Sequence, residues 1–154
     1  MPLVRDLVCP LTDSEILDAA QRILYRRLQR QGSLASPSDA STYLRHRIGA
    51  LDHEVFAVLW LDNRHRILAF EVLFTGSISG ASVYPREVVK AALRVNAAAC
   101  ILTHNHPSGV AEASVADREI TETLKVALNT VEVRVLDHII VGEGTLSMAQ
   151  RGWL

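Results

Sequence analysis

The sequence THNHPSGVAEASVAD, from Thr103 to Asp117, joins the end of an apolar run to a Pro-Ser-Gly loop and then to a helical pattern. In extended backbone His104 and His106 point to the same side, because the side chains of a strand alternate. The helical pattern opens at Ser114, so Asp117 falls on the first turn and can direct its carboxylate back toward the histidines. Two imidazoles and one carboxylate leave a coordination position for water, which is typical of a catalytic zinc site. The stretch therefore predicts a divalent metal held by His104, His106 and Asp117.

Simpler interpretations exist for the same residues. Ser114 and Asp117 both suit the positive end of a helix and could cap it without a metal, and a His-x-His pair is a weak signal alone. The coincidence of histidines, reversing turn and carboxylate favours the metal.

Three families with similar motifs are excluded. His104-Asn105-His106 spells HNH, but in HNH nucleases those letters name residues spread over a longer unit. Zinc deaminases need His-x-Glu and Pro-Cys-x-x-Cys, which this sequence lacks. Metallo-β-lactamases bind metal through His-x-His-x-Asp-His, and here Ser108 stands where the aspartate should be.

Helices and strands alternate along the rest of the chain. A capping-box pattern at Thr12 and Glu15, a Ser36-Pro37 start and Pro85 predict three helices besides the one that opens at Ser114. The run from Ala97 to Thr103 is continuously apolar, as expected for a strand covered on both sides. Further strands are predicted at residues 54–61, 67–75, 131–141 and 146–149. This order predicts a layered α/β domain with a mixed sheet flanked by helices.

Composition excludes several classes of protein. The 154 residues suit one domain with a real core, and 16 Lys and Arg against 17 Asp and Glu give no overall field toward nucleic acid or anionic membrane. No apolar run approaches the roughly 20 residues of a membrane span, and no signal peptide is recognisable, so a cytoplasmic protein is expected. Cys9 and Cys100 form no metal-binding or disulfide pattern and are both expected to be inert.

A family resemblance adds to this interpretation. The spacing His-x-His, seven residues, Ser, two residues, Asp resembles the signature of the JAB/MPN (JAMM) metallohydrolases, and HNHPSG is similar to the form in the RadC branch. Residues 54–56, 82–89, 96–99 and 137–142 also resemble RadC segments, in RadC order. Ala113 departs from the proline that usually precedes the serine. The resemblance implies a JAB/MPN-type domain at residues 35–154, preceded by an N-terminal helical segment at residues 1–34.

The resemblance also implies a chemistry. A Zn²⁺ ion would be held by His104, His106 and Asp117, Glu54 would be the general base, and Ser114 would steady the oxyanion during cleavage of a peptide or isopeptide bond. Local sequence alone does not select Glu54 over Glu71 or Glu87. Two other functions stay open: a binding module associated with DNA repair, and a non-catalytic scaffold that pairs through its first helix.

The expected partners follow from these alternatives. The substrate would be a peptide or protein, a homodimer is open, and no membrane is expected. Nucleic acid is not expected, because the net charge is near zero and the helix-hairpin-helix region of full-length RadC proteins is missing. Four arginines of the first helix could still grip phosphates, although a solvated helix edge is the simpler interpretation. They are Arg22, Arg26, Arg27 and Arg30.

His138 follows Asp137 in a predicted strand. The two could form a pair that supports the metal from behind. A satisfied structural histidine is the simpler interpretation.

Overall fold

The protein is an α/β domain built around one mixed sheet. The structure is a computed structural model that describes residues 11–30, 36–76 and 83–154, without the side chains of residues 27–30. The helices are α1 (Asp13–Arg30), α2 (Pro37–Ile48), α3 (Pro85–Arg94) and α4 (Val115–Thr130), and the strands are β1 (Val55–Leu61), β2 (Ile67–Thr75), β3 (Ala99–Asn105), β4 (Arg134–Val141) and β5 (Thr145–Ser147). The strand order is β2-β1-β3-β4-β5. Only the β3–β4 pair is parallel, so the predicted mixed sheet is confirmed.

Local sequence signals determine where the helices begin. The Thr12 hydroxyl accepts from the Glu15 backbone N–H at 3.3 Å, and the Glu15 carboxylate accepts from the Thr12 N–H at 2.8 Å. Ser36 caps α2, whose first residue is Pro37. The predicted helix starts are therefore correct, because a cap acts within four residues and needs no tertiary contact.

Strand β3 lies at the centre of the sheet and is buried along its whole length. It begins two residues later than the sequence predicts: the Ala97 N–H bonds to the Ala92 carbonyl in α3, and the Ala98 N–H bonds to the Leu61 carbonyl at the end of β1. The strand extends to Asn105. His104 lies inside the strand, and His106 is the first residue after it and the first that is not fully buried.

The sheet carries a separate core on each face. Helix α2 covers one face, where Tyr43 and Leu44 pack with Leu59, Ile101 and Ile139. Helices α3 and α4 cover the other face, with a cluster comprising Phe56, Val58, Trp60, Val83, Val88, Ala91, Ala92, Cys100, Leu102, Leu124, Leu128 and Val133. Because strand side chains alternate, His104 shares the α4 face with Leu102. No helix in the described ranges is both long and apolar enough to cross a membrane.

Cys100 is fully buried in the α4-face core, and burial raises the pKa of its thiol far above the usual range. The thiolate is the reactive form. We therefore expect native Cys9→Ser protein to resist the thiol reagent DTNB at about pH 8, and to react fully once unfolded in guanidinium. Cys9 itself lies outside the described residues. Rapid labelling of the native variant would contradict the expected inertness of Cys100.

Candidate metal centre

The side chains of His104, His106 and Asp117 converge at the end of β3 and the first turn of α4. Their ligand atoms all lie within 4.8 Å of one another. His104 Nε2 is 3.0 Å from His106 Nε2 and 3.3 Å from Asp117 Oδ1, and His106 Nε2 is 3.9 Å from Asp117 Oδ2. Ligands at about 2.0–2.1 Å around a tetrahedral ion lie roughly 3.3 Å apart. The cluster therefore has the dimensions of a three-ligand metal site.

The chemistry of the donors also fits a cation. His106 Nδ1 donates to the Val110 carbonyl at 2.8 Å, so in a neutral ring Nε2 carries the lone pair that faces His104. The His106 lone pair and the Asp117 carboxylate thus face one point, where a cation would be stabilised. The His104 side chain is fully buried, whereas 19% of the His106 side chain is exposed. The centre is therefore accessible from the side of His106.

Asp117 is fixed by the start of α4. The Ser114 N–H donates to Asp117 Oδ2 at 2.7 Å, and the Asp117 N–H donates to Ser114 Oγ at 3.1 Å. This capping box leaves Asp117 Oδ1 directed at His104. Burial acts to raise the pKa of Asp117, but the hydrogen bond and charge of His104 and the bonds with Ser114 outweigh it and hold that pKa far below the usual range. The residue is therefore a carboxylate at neutral pH, as a metal ligand must be.

His104 is held from behind by His138 rather than by a carboxylate. His104 Nδ1 lies 2.8 Å from His138 Nε2, and His138 Nδ1 lies 2.5 Å from Thr121 Oγ1. The idea that Asp137 pairs with the His138 ring is wrong, because neighbouring strand residues face opposite sides of the sheet. The Asp137 carboxylate instead bonds to Ser147 and to the N–H groups of His138 and Ala149. Burial, and then the charge of His104, lower the pKa of His138 well below its usual range.

Glu54 lies directly before β1, at the same end of the sheet as the cluster. The pairing of Phe56 with His104 puts Glu54, two residues before Phe56, at the end of the sheet where the histidines lie. Asn105 holds the backbone on both sides of Glu54: its Oδ1 accepts from the Val55 N–H at 2.8 Å, and its Nδ2 donates to the His53 carbonyl at 2.9 Å. The residue between the two histidines therefore fixes the backbone on both sides of Glu54.

We expect Asn105→Ala to destabilise the protein by about 1–3 kcal/mol, because it leaves a buried N–H group without its partner. The free energy of unfolding should be measured in denaturant, with the exposed Asn129→Ala as control. Zinc uptake should persist, since Asn105 contacts no proposed ligand atom. An Asn105→Ala protein as stable as wild type would show that this clamp does not hold the start of β1.

The loop after β3 is tied to the end of β4. The His106 N–H donates to the Val141 carbonyl, and the Glu143 N–H donates to the Gly109 carbonyl, both at 2.8 Å. A Cβ on Gly142 would lie 2.4 Å from that Gly109 oxygen, a contact that no side chain can make. Gly142 thus allows the close approach of the loops that follow β3 and β4.

A cleft of about 590 Å³ opens beside His106, between the loops at 106–109 and 142–143 and the C-terminal half of α2, where Arg45 and His46 lie. A larger cavity of about 890 Å³ is lined by none of the cluster residues. Arg22 and Arg26 line that larger cavity, together with Arg47. The side chains of Arg27 and Arg30 lie outside the described residues, so the proposed arginine stripe is described only in part.

Two supporting residues, Asn105 and Thr121, are not predicted from the sequence. His138 is predicted as a possible support of the site, but its ring contacts His104 and Thr121 rather than Asp137. A period-of-two argument places His138 on the face of β4 opposite Asp137. No local pattern gives its distance from His104, which depends on the parallel pairing of β3 with β4.

Comparison with known proteins agrees with the fold and the cluster. Residues 34–153 match the model of the RadC-like JAB domain family. The UPF0758 protein of Stutzerimonas stutzeri is 59% identical over 140 residues, and that of Ectopseudomonas mendocina is 60% identical over 140 residues. Those alignments cover 90% of this chain but only 62% of each relative.

A UPF0758 protein of Vibrio cholerae serotype O1 is closer in length. It is 51% identical over 142 residues, which is 92% of this chain and 90% of the relative. These names state no activity. Together with the family match and the geometry of the cluster, they establish that the chain belongs to the RadC-like JAB domain family.

Proposed function

We propose that the protein is a zinc-dependent hydrolase that cleaves an amide bond in a peptide or isopeptide. The observation that supports this proposal best is the convergence of two imidazoles and a carboxylate within 4.8 Å. A structural zinc has four protein ligands, whereas three protein ligands with one open position are typical of catalysis. The exposed edge of His106 and the adjoining cleft would give substrate access to that position.

His104, His106 and Asp117 would hold the zinc. When bound, the ion would lower the pKa of a water molecule and polarise the scissile carbonyl. Glu54 would accept the proton of the attacking water and return it to the leaving nitrogen, which is general base and then general acid catalysis. Its place at the same end of the sheet as the cluster and the backbone bonds of Asn105 on either side support this role.

Ser114 would have two tasks. Its Oγ accepts the Asp117 N–H, so the hydroxyl proton remains available for donation to a developing oxyanion. Residue Ser114 is exposed at the start of α4, so a substrate could reach it. Of the proposed roles, this one depends most on the orientation of the bound substrate.

The proposal can be tested in two steps. Elemental analysis of purified protein should give one zinc per chain, and zinc-loaded protein should be screened against peptide, isopeptide and nucleic-acid libraries. Hydrolysis of an amide substrate that stops on chelation and returns with zinc would support the proposal. Zinc-independent, salt-sensitive binding of nucleic acid without any hydrolysis would favour the DNA-associated binding module instead.

A further inference from the structure

We propose that His138 and Thr121 are positioning residues that fix the tautomer and orientation of His104. This inference rests on the proposed zinc site. A histidine ligand usually donates its second ring N–H to a carboxylate, carbonyl or water, which leaves the other nitrogen free for the metal. In this protein the second nitrogen of His104 faces another histidine, at 2.8 Å. The His138 ring nitrogen can either donate or accept, so another group must determine which nitrogen of His138 carries the proton.

Thr121 supplies that placement. Thr121 Oγ1 donates to the Asp117 carbonyl at 2.5 Å and lies 2.5 Å from His138 Nδ1. A backbone carbonyl can only accept, so the hydroxyl proton points at Asp117 and the hydroxyl oxygen accepts from His138 Nδ1–H. His138 Nε2 then has a lone pair and accepts from His104 Nδ1–H, so that a neutral His104 ring, as a metal ligand must be, has its lone pair on Nε2 toward the cluster. The Asp117 carbonyl, as the last acceptor, thus sets the direction of every hydrogen bond in this series.

Burial makes this series of hydrogen bonds sensitive to the loss of any one partner. The residues His104 and His138 are fully buried and Thr121 is 3% exposed, so water cannot replace a lost partner. Phe56 packs edge-on against the His138 ring, with the ring centroids 5.7 Å apart, and restricts its rotation. The series of hydrogen bonds also joins the strand and the helix that carry the proposed metal ligands, because it begins at His104 on β3 and ends at the backbone of Asp117 on α4.

The variants should separate acceptor chemistry from packing. Thr121→Val keeps the size of the side chain but leaves His138 Nδ1–H without an acceptor, whereas Thr121→Ser keeps the hydroxyl. Thr123→Val is the matched control, because Thr123 Oγ1 makes the same type of bond to the Glu119 carbonyl at 2.9 Å on the exposed side of α4. His138→Phe removes the acceptor of His104 altogether, and His138→Gln restores an acceptor.

Zinc affinity should be measured by chelator competition, after circular dichroism has shown that each metal-free variant is folded. We expect zinc to bind about 10–100-fold more weakly in Thr121→Val and His138→Phe. Thr121→Ser, His138→Gln and Thr123→Val should lie closer to wild type. Wild-type affinity in Thr121→Val would overturn the inference, whereas a wild-type protein that takes up no zinc would overturn the proposed function.

A spectroscopic measurement on the wild-type protein keeps the inference testable even where a variant does not fold. Histidine ring ¹⁵N–¹H spectra of the zinc-loaded protein report which nitrogen carries each proton. We expect His138 to be protonated at Nδ1 only and His104 at Nδ1 only. A His138 ring that is protonated at Nε2 would overturn the inference.

Discussion

Glu54→Gln protein should bind zinc at the wild-type stoichiometry and keep its fold, while its hydrolytic rate falls by at least about a hundredfold. General acid–base catalysis typically contributes 10²–10⁴-fold, and a neutral amide of the same size cannot accept the proton of water. The loss should appear in the chemical step, because Glu54 holds no metal. The measurement is zinc content by elemental analysis beside single-turnover hydrolysis of the substrate identified in the screen.

Glu71→Gln and Glu87→Gln are the matched controls for this experiment. Glu71 forms an ion pair with Arg94, and Glu87 forms one with Lys90 at 3.2 Å. Exposed pairs of this kind contribute little to stability, so both variants should hydrolyse at close to the wild-type rate. If either control loses activity while Glu54→Gln retains it, Glu54 is the wrong carboxylate and the resemblance has misplaced the start of β1.

Asp117→Asn protein should lose most of its zinc, as should His104→Ala and His106→Ala. An amide is neutral and a far weaker zinc ligand than a carboxylate, so two imidazoles alone would have to retain the ion. Asparagine can still accept the Ser114 N–H, so the helix start should persist and the loss of zinc should be the larger effect. Zinc stoichiometry and the free energy of unfolding of the metal-free protein should be measured on the same preparation.

Asp39→Asn provides a matched control for Asp117→Asn. Asp39 also lies three residues after a serine N-cap, and its N–H donates to Ser36 Oγ at 3.4 Å. It belongs to none of the metal-competent clusters found among the described residues. Asp39→Asn should therefore show the cost of altering a helix start without any loss of zinc. A fully metallated Asp117→Asn protein would reduce Asp117 to a capping residue.

The sequence predicts well those features that depend on short segments. The helix starts at Thr12, Ser36 and Ser114 follow from caps whose partners are three residues away. The juxtaposition of His104 with His106 follows from strand alternation, and that of Asp117 with both follows from a short reversing loop. The start of β3 is less accurate, because it depends on bonds to other elements: the Ala97 N–H bonds to Ala92 in α3, and the Ala98 N–H bonds to Leu61 in β1.

The residues that support the cluster could not be predicted in this way. Asn105 reaches residues 50 and 52 positions earlier, and His138 reaches back 34 positions to His104. Such contacts depend on strand order and register, and a spacer asparagine or a strand histidine has no local signature of either. Family resemblance selects Glu54 among three candidate glutamates, and that choice stays a prediction.

The long reach of these supporting contacts links zinc affinity to folding. An unfolded chain would keep the His-x-His pair but would lose the carboxylate, the buried support of His104 and the tie between His106 and Val141. Zinc should therefore bind the native state far better than the denatured ensemble and stabilise it by mass action, by about 2.7 kcal/mol at a free concentration one hundred times the dissociation constant. A series of melting curves at increasing zinc concentration would then yield that constant before any substrate is known.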